Sequence, residues 1–563
     1  MLEPLDRILP LPYPHFMGFA PLDAWWRLLT QDGAWRKIPA RYWVRVAGGV
    51  FTSCIGTAVT LPERVVVGAV MALAGRAGEQ GSRGARERER VSPTAPLLPR
   101  SHAPMLFVLG YYRSGTTHLH YLLSCDPGLA TPRWYQMLAP QGFAISWTIL
   151  RYFLVPFLSS KRPQDDVAYG PEYPAEDDFG VCNLSAACAM PGRMVLPGCW
   201  DYYARFHSLE RLTEAELDRF RRAQLAVSWR LARLNPGRGL LFKTPSHTAR
   251  VAELCRLYPN AKFIHLHREA GAVLKSNVAM HRRYAPFLLQ PHPGDEEVRR
   301  RVIAEYDATE KKFLAESAAL PADRVVRVRY EDLIADPIGQ VRAAYGQLGL
   351  EVTPEFEARM TGYLESVREY RAASEKPGGT SAIEPVPELG WMHSAFGHDR
   401  ERGMSAALCA SAPTDGKEHG QDARATEPLL TGATGALVAA AFCFAGWMAI
   451  AASVKDRLDF LAWPVGVIVG LSALRAAGAN GKKGTTALGV WALALTLVVI
   501  LGAAYPATWL AVRETFSPVD FSHHLWLATR RGVLAMNNLL WIGLGLASAY
   551  RFASREHVRP PGL

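Results

Sequence analysis

The sequence predicts an α/β domain built on a P-loop-like parallel sheet flanked by helices, followed by an all-α transmembrane domain of about four helices. Three observations lead there. At 105–125 an apolar run, a glycine-bearing loop and an apolar helix follow one another (MLFVLG, YYRSGTT, HLHYLLSC), which is how a buried strand passes through a phosphate-cradling turn into a helix. Strand-like apolar runs then alternate with helical stretches, the pattern of parallel strands covered on both faces. Past residue 430 the chain changes character and carries four long apolar runs.

Taken in order, residues 1–100 read as an N-terminal helical or interfacial segment and a linker. Within them 46–62 and 65–75 are apolar. Each is a little short of the ~20 residues that cross a bilayer, so they read as helices packed on the α/β domain or lying in the membrane interface. GSRGARERERVSPTAPLLPR, ending at residue 100, is charged and then proline-rich, a linker composition. The α/β domain occupies 101–370. After the strand at 105–110, a second is GLLFK at 239–243, a third AKFIHLH at 261–267 and a fourth RVVRVR at 324–329, each leading into a helix. Residues 371–430, with the low-complexity stretch GKEHGQDARATEP, read as a flexible linker. The membrane domain, 431–563, holds apolar runs at about 434–454, 460–474, 487–512 and 533–550.

Composition narrows the function. The chain of 563 residues has a net charge of +11, carried mostly by arginine, which suits an anionic ligand or an anionic membrane surface. Its mean hydropathy of −0.01 is high for a soluble enzyme. Eight cysteines include no C-x-x-C pair, and Cys182, Cys188 and Cys199 lack the spacing of a zinc site or disulfide framework, so a reducing compartment and no metal are expected. The opening MLEPLDRILPLPYPH is broken by acids and prolines and does not read as a signal peptide. Nucleic acid is not expected as a partner.

The loop from Gly110 to Thr117 has the G-x-x-x-x-G spacing of a Walker A loop, but Thr116 stands where the lysine would. Loss of that charge disfavours a nucleotide hydrolase or kinase. A single 5′-phosphosulfate needs less compensation, and Arg113 offers it a forked donor. A tight glycine turn without a ligand is the alternative.

YRSGTT, together with PAEDD at 174–178, KTPSHTAR at 243–250 and RYEDL at 329–333, resembles the bacterial family of sulfotransferases that use 3′-phosphoadenosine 5′-phosphosulfate (PAPS). The likeness runs over 104–363. It implies that Arg113, Ser114, Gly115, Thr116 and Thr117 bind the 5′-phosphosulfate. It also implies that Arg268 and Ser276, an arginine ending a strand and a serine eight residues on, bind the 3′-phosphate. Ala270 stands where the family often has proline. Lys243 would assist the leaving group, or be a salt-bridged lysine at a strand end.

The acceptor's proton needs a base. Among three adjacent carboxylates, burial of one raises its pKa towards a useful range. Glu176 is the first choice and Asp177 the second, unless these acids only cap a helix. His247 would touch the acceptor or cap structure. In tyrosylprotein sulfotransferases the base follows the RSGTT helix, where this chain has DPGLATPRWYQML and no Glu. RYEDL reads as structural.

The resemblance implies sulfuryl transfer from PAPS to a hydroxyl or amine of a lipid, glycan or other small molecule. A kinase-like ATP-dependent transferase and a non-catalytic nucleotide-binding membrane protein are the alternatives. The expected location is a multi-pass membrane protein, in contact with the bilayer through its C-terminal helices, with the catalytic domain in the cytoplasm. With four spans and both termini inside, eight basic residues flank the inner side and five the outer.

Overall fold

The computed structural model describes residues 17–81, 104–143, 146, 170–367 and 386–396, and a few positions between 469 and 500. Those up to Phe396 fall in the first of two compact units of the chain. Within 371–430, expected to be a flexible linker, residues 386–396 are instead packed, because Val386, Leu389 and Met392 bury themselves in the core beside Tyr111. The rest of that stretch, the linker at 82–100 and the four C-terminal apolar runs, apart from those few positions, lie outside the described residues.

Five strands form one sheet: β1 (Met105–Leu109), β2 (Leu129–Ala130), β3 (Gly239–Lys243), β4 (Ala261–His267) and β5 (Val325–Arg329). All pair in parallel, in the order β2-β3-β1-β4-β5. β1 and β3 are near-continuous apolar runs because both faces are covered. β5, at the edge, alternates buried and exposed positions. β2 has two residues, too few for any periodicity to be read. In register across the centre, Phe107 lies opposite both Phe242 and Phe263, with ring centroids 5.5 and 5.7 Å apart.

From β1 the chain passes to β2 and back to β3 on one side of β1, then crosses to β4 and β5 on the other. A crevice therefore opens beside the carboxyl end of β1, where the connections diverge, and it is there that doubly wound sheets hold ligands.

The helices of this unit include α1 (Leu22–Thr30), α2 (Trp43–Gly81), α3 (Thr116–Leu123), α4 (Asp177–Ser185), α5 (Glu214–Leu234), α6 (Ala270–Arg283) and α7 (Asp295–Ser317). Their starts follow ordinary capping chemistry. Thr213 and Glu216 form a reciprocal capping box at α5. Glu269 accepts from the amides of Gly271 (2.8 Å) and Ala272 (2.6 Å) at α6. α6 and α7 pack through Val273, Leu274, Val298, Val302 and Tyr306, beneath Tyr111.

The two N-terminal apolar pieces are one continuous helix, α2, with Pro62 inside it. A proline removes one intrahelical bond. Val46, Gly49, Ser53, Gly56, Thr60 and Glu63, spaced three and four apart, are all buried, so one stripe is held by packing on both sides of the proline.

Candidate active site

The turn after β1 is shaped by three positive backbone angles: Gly110 (φ 138°), Arg113 (72°) and Gly115 (92°). Both glycines are demanded by contact. A Cβ on Gly110 would collide with the carbonyl oxygen of Leu266, and one on Gly115 with the ring of Tyr330. Arg113 holds its left-handed conformation at a cost of about 1–3 kcal/mol. The Gly110 amide donates to Thr248 Oγ1 (2.7 Å), which ties the turn to the segment after β3. Gly115 is the N-cap of α3, so the first amides of α3, at Thr116 and Thr117, open onto the crevice end of the sheet.

On one flank, Arg113 Nε donates to Ser276 Oγ on α6 (2.9 Å), and Arg268 Nη1 reaches the Arg113 carbonyl (3.5 Å). The structure thus brings Arg113, Arg268 and Ser276 together. The Arg268 guanidinium lies over the ring of Tyr330, 4.3 Å from its centroid. Tyr330 therefore braces both Gly115 and Arg268. It was visible in the sequence only as part of RYEDL.

On the other flank, Lys243 ends β3 beside Val108. Its ammonium donates to Glu176 Oε1 (2.6 Å) and to Thr117 Oγ1 (3.2 Å). Glu176 is the N-cap residue of α4, yet its side chain makes no capping bond. A cation, a carboxylate and a hydroxyl from three separate segments meet at the mouth of the turn.

Asp177 and Asp178 turn elsewhere. Asp177, fully buried, accepts from Thr244 Oγ1, His247 Nε2 and Gln224 Nε2, each at 2.8 Å. Burial opposes its ionisation, but the attraction and hydrogen bond of His247, with bonds from Gln224 and Thr244, hold it well below the usual carboxylate range. Asp178 pairs two-pronged with Arg250 (2.8 and 3.1 Å), both side chains fully buried. His247 is fully buried too, its ring edge-on to Phe107.

Beneath the turn lies a layer that no sequence motif announces. Arg193 sits over the Tyr112 ring, 3.9 Å from its centroid, and pairs with Glu305. Glu305 also accepts from Tyr111 (3.0 Å), and Asn277 donates to the Tyr112 carbonyl (2.8 Å). These residues come from four distant segments, and Arg193 and Glu305 stand in no motif. Among the described residues no three His, Cys, Asp or Glu side chains are grouped as a metal would require.

A parallel sheet whose first turn opens on a helix N-terminus, ringed by Arg113, Arg268 and Lys243, is the architecture of an enzyme that handles an anionic group. Residues 104–354 match the model of the Sulfotransferase family. Among curated proteins, it is similar to omega-hydroxy-beta-dihydromenaquinone-9 sulfotransferase Stf3 of Mycobacterium bovis and of Mycobacterium tuberculosis. Each is 29% identical over 306 residues, covering 54% of this chain and 78% of the relative. Among solved structures, sulfotransferase STF1 from Mycobacterium tuberculosis H37Rv aligns with a TM-score of 0.41 and 16% identity, over 62% of this chain and 91% of that one. Sulfotransferase STF9 from Mycobacterium avium gives 0.39 and 22%, over 47% and 68%. The protein is a sulfotransferase, an enzyme that moves a sulfuryl group to an acceptor.

Proposed function

We propose that the sulfuryl donor is PAPS and that the acceptor is a hydroxyl on a membrane-borne lipid. The observation that carries the donor half is the convergence of Arg113, Arg268 and Ser276 on one flank of the glycine turn and of Lys243, Glu176 and Thr117 on the other. The first group suits a 3′-phosphate, through charge-assisted hydrogen bonds. The turn, with Ser114, Gly115 and the first amides of α3 at Thr116 and Thr117, suits the 5′-phosphosulfate as a P-loop-like cradle.

In the reaction, the acceptor oxygen attacks sulfur while the bond from sulfur to the bridging phosphate oxygen breaks. The sulfate ester and 3′-phosphoadenosine 5′-phosphate (PAP) are the products. The acceptor's proton passes to the Glu176 carboxylate, and the Lys243 ammonium offsets the charge that builds on the bridging oxygen. The two side chains are paired with each other. A bound phosphosulfate gives Lys243 a second anionic partner and releases Glu176 towards the acceptor. Glu176 is preferred to Asp177 and His247 because those two are buried against each other.

The acceptor half rests on the relatives' name, which carries an omega-hydroxylated menaquinone. It also rests on the apolar runs after residue 430, read as a multi-pass anchor that keeps the catalytic domain on the cytosolic side of the bilayer. Membranes containing the full chain, incubated with radiolabelled PAPS, test both halves. Label extracted with the lipids, and lost in Glu176→Gln, is the expected result. Label confined to glycan or protein would exclude a lipid acceptor. Absence of any transfer would exclude PAPS.

A further inference from the structure

We propose that the outer face of α2 is a second, one-sided membrane contact, inserted into the bilayer beside the active-site domain. This rests on the helix alone, independently of donor and acceptor.

The observation is an inverted polarity. A helix on a water-soluble domain turns its apolar stripe inwards and its polar residues out. In α2 the inward stripe holds the polar groups. Ser53 donates to the Ala20 carbonyl, Thr60 to the Gly56 carbonyl (2.7 Å), and the Glu63 carboxylate accepts from the Ser146 amide (2.6 Å). The opposite stripe, at the same three-and-four spacing, is Trp43, Ala47, Phe51, Cys54, Ala58 and Leu61, all exposed. Between Arg45 and Glu63 the chain has no charged residue. Phe51 is 64% exposed and Val65 63%.

Scattered single apolar side chains on a surface need no explanation, whereas a concentration of them does. Of the nine large apolar residues exposed among the described residues, eight lie between Leu22 and Val66. They include Trp26, Trp35 and Trp43, in a stretch where Arg27, Arg36, Lys37, Arg41 and Arg45 outnumber Asp23 and Asp32. Tryptophan and basic residues bordering an apolar face fit the headgroup layer of an anionic bilayer.

The segment Ala40–Val67 is long and apolar enough to cross a membrane by length and composition. It is held to the domain along its length, however. Gly49 abuts Trp25, Gly56 abuts Phe19, and Arg45 donates to the Leu288 carbonyl (2.8 Å). A helix fastened on one side offers lipid only its other side, so α2 lies along the surface and does not span it.

Nitroxide labels read this in the full chain, reconstituted in vesicles of phosphatidylcholine and phosphatidylglycerol. Labels go on Phe51→Cys and Ala58→Cys, and on Glu351→Cys as an exposed reference, with reactive native cysteines replaced by serine. A cooperative melting transition matching that of the unlabelled parent shows that each variant is folded. At 51 and 58, collisions with oxygen should exceed those with a water-soluble nickel chelate several-fold relative to 351. Free access of the chelate would mean that the face is in water and overturn the proposal. So would exclusion of both reagents, since protein would then cover the face; spin–spin broadening in that case would identify the covering protein as a second copy.

Discussion

Glu176 and Asp177 are neighbours in the chain and opposites in the structure. Asp177 is sealed in a network with Thr244, His247 and Gln224. Glu176, one residue earlier, lies outside the first turn of α4 and meets a single ammonium at the mouth of the glycine turn. Successive residues at a helix start point in different directions, so acids that look equivalent in sequence are divided between chemistry and architecture. Asp178 makes the division threefold through its pair with Arg250.

The largest expected effect belongs to the architectural side. Arg250→Ala leaves the Asp178 carboxylate buried without its ion pair, a loss of about 3–5 kcal/mol. The apparent melting temperature should fall steeply, and Asp178→Asn should do less harm. Equal activity and melting temperature in Arg250→Ala would mean that this pair is not structural.

On the chemical side, Lys243→Ala should lower turnover by about 10²–10³ while PAP affinity changes only a few-fold, the signature of a group that meets charge developing in the transition state. If affinity and turnover fell together, Lys243 would be a binding residue, and the contrast with the buried network would blur.

Acid should act on the architectural side through its buried histidines. Burial, assisted by Arg193 and Arg250 and opposed by Glu305, pushes His207 down to about 4, against about 6.5 in the unfolded chain. Between those values the unfolded state takes up the proton and the folded state does not. Stability should therefore fall as pH drops from about 6.5 to about 4, by about 3 kcal/mol for this group, and its contribution should be flat below. Burial, with Lys243 near His120 and Arg193 near His281, shifts those two histidines the same way. Melting temperatures across this range check it, and His207→Gln should flatten the slope.

The smallest effect is expected at Arg268. Replacing it with Ala should weaken PAP binding by about 1.5–3 kcal/mol, a lost hydrogen bond to a charged group. Binding of adenosine 5′-phosphosulfate, which lacks the 3′-phosphate, should hardly change. Equal weakening of both would assign Arg268 to the 5′-phosphosulfate and not to the 3′-phosphate.

Much of the site is legible in the sequence alone. The glycine turn, the strand that precedes it, Lys243 at the end of β3 and Arg268 at the end of β4 each follow from local pattern, because strand, turn and helix signals are short-range. The pairing of Arg113 with Ser276, 163 residues away, could not be read that way. Nor could the bracing of Gly115 and Arg268 by Tyr330, or the layer of Arg193 and Glu305 under the turn. Such contacts depend on which segments the sheet order brings side by side. The same holds for the three acids of PAEDD and for α2. Sequence by itself determined that the acids sit together and that α2 is apolar. Only the tertiary structure decided which acid faces the crevice and which stripe of α2 faces outwards, because a side chain's environment is set by the elements packed against it.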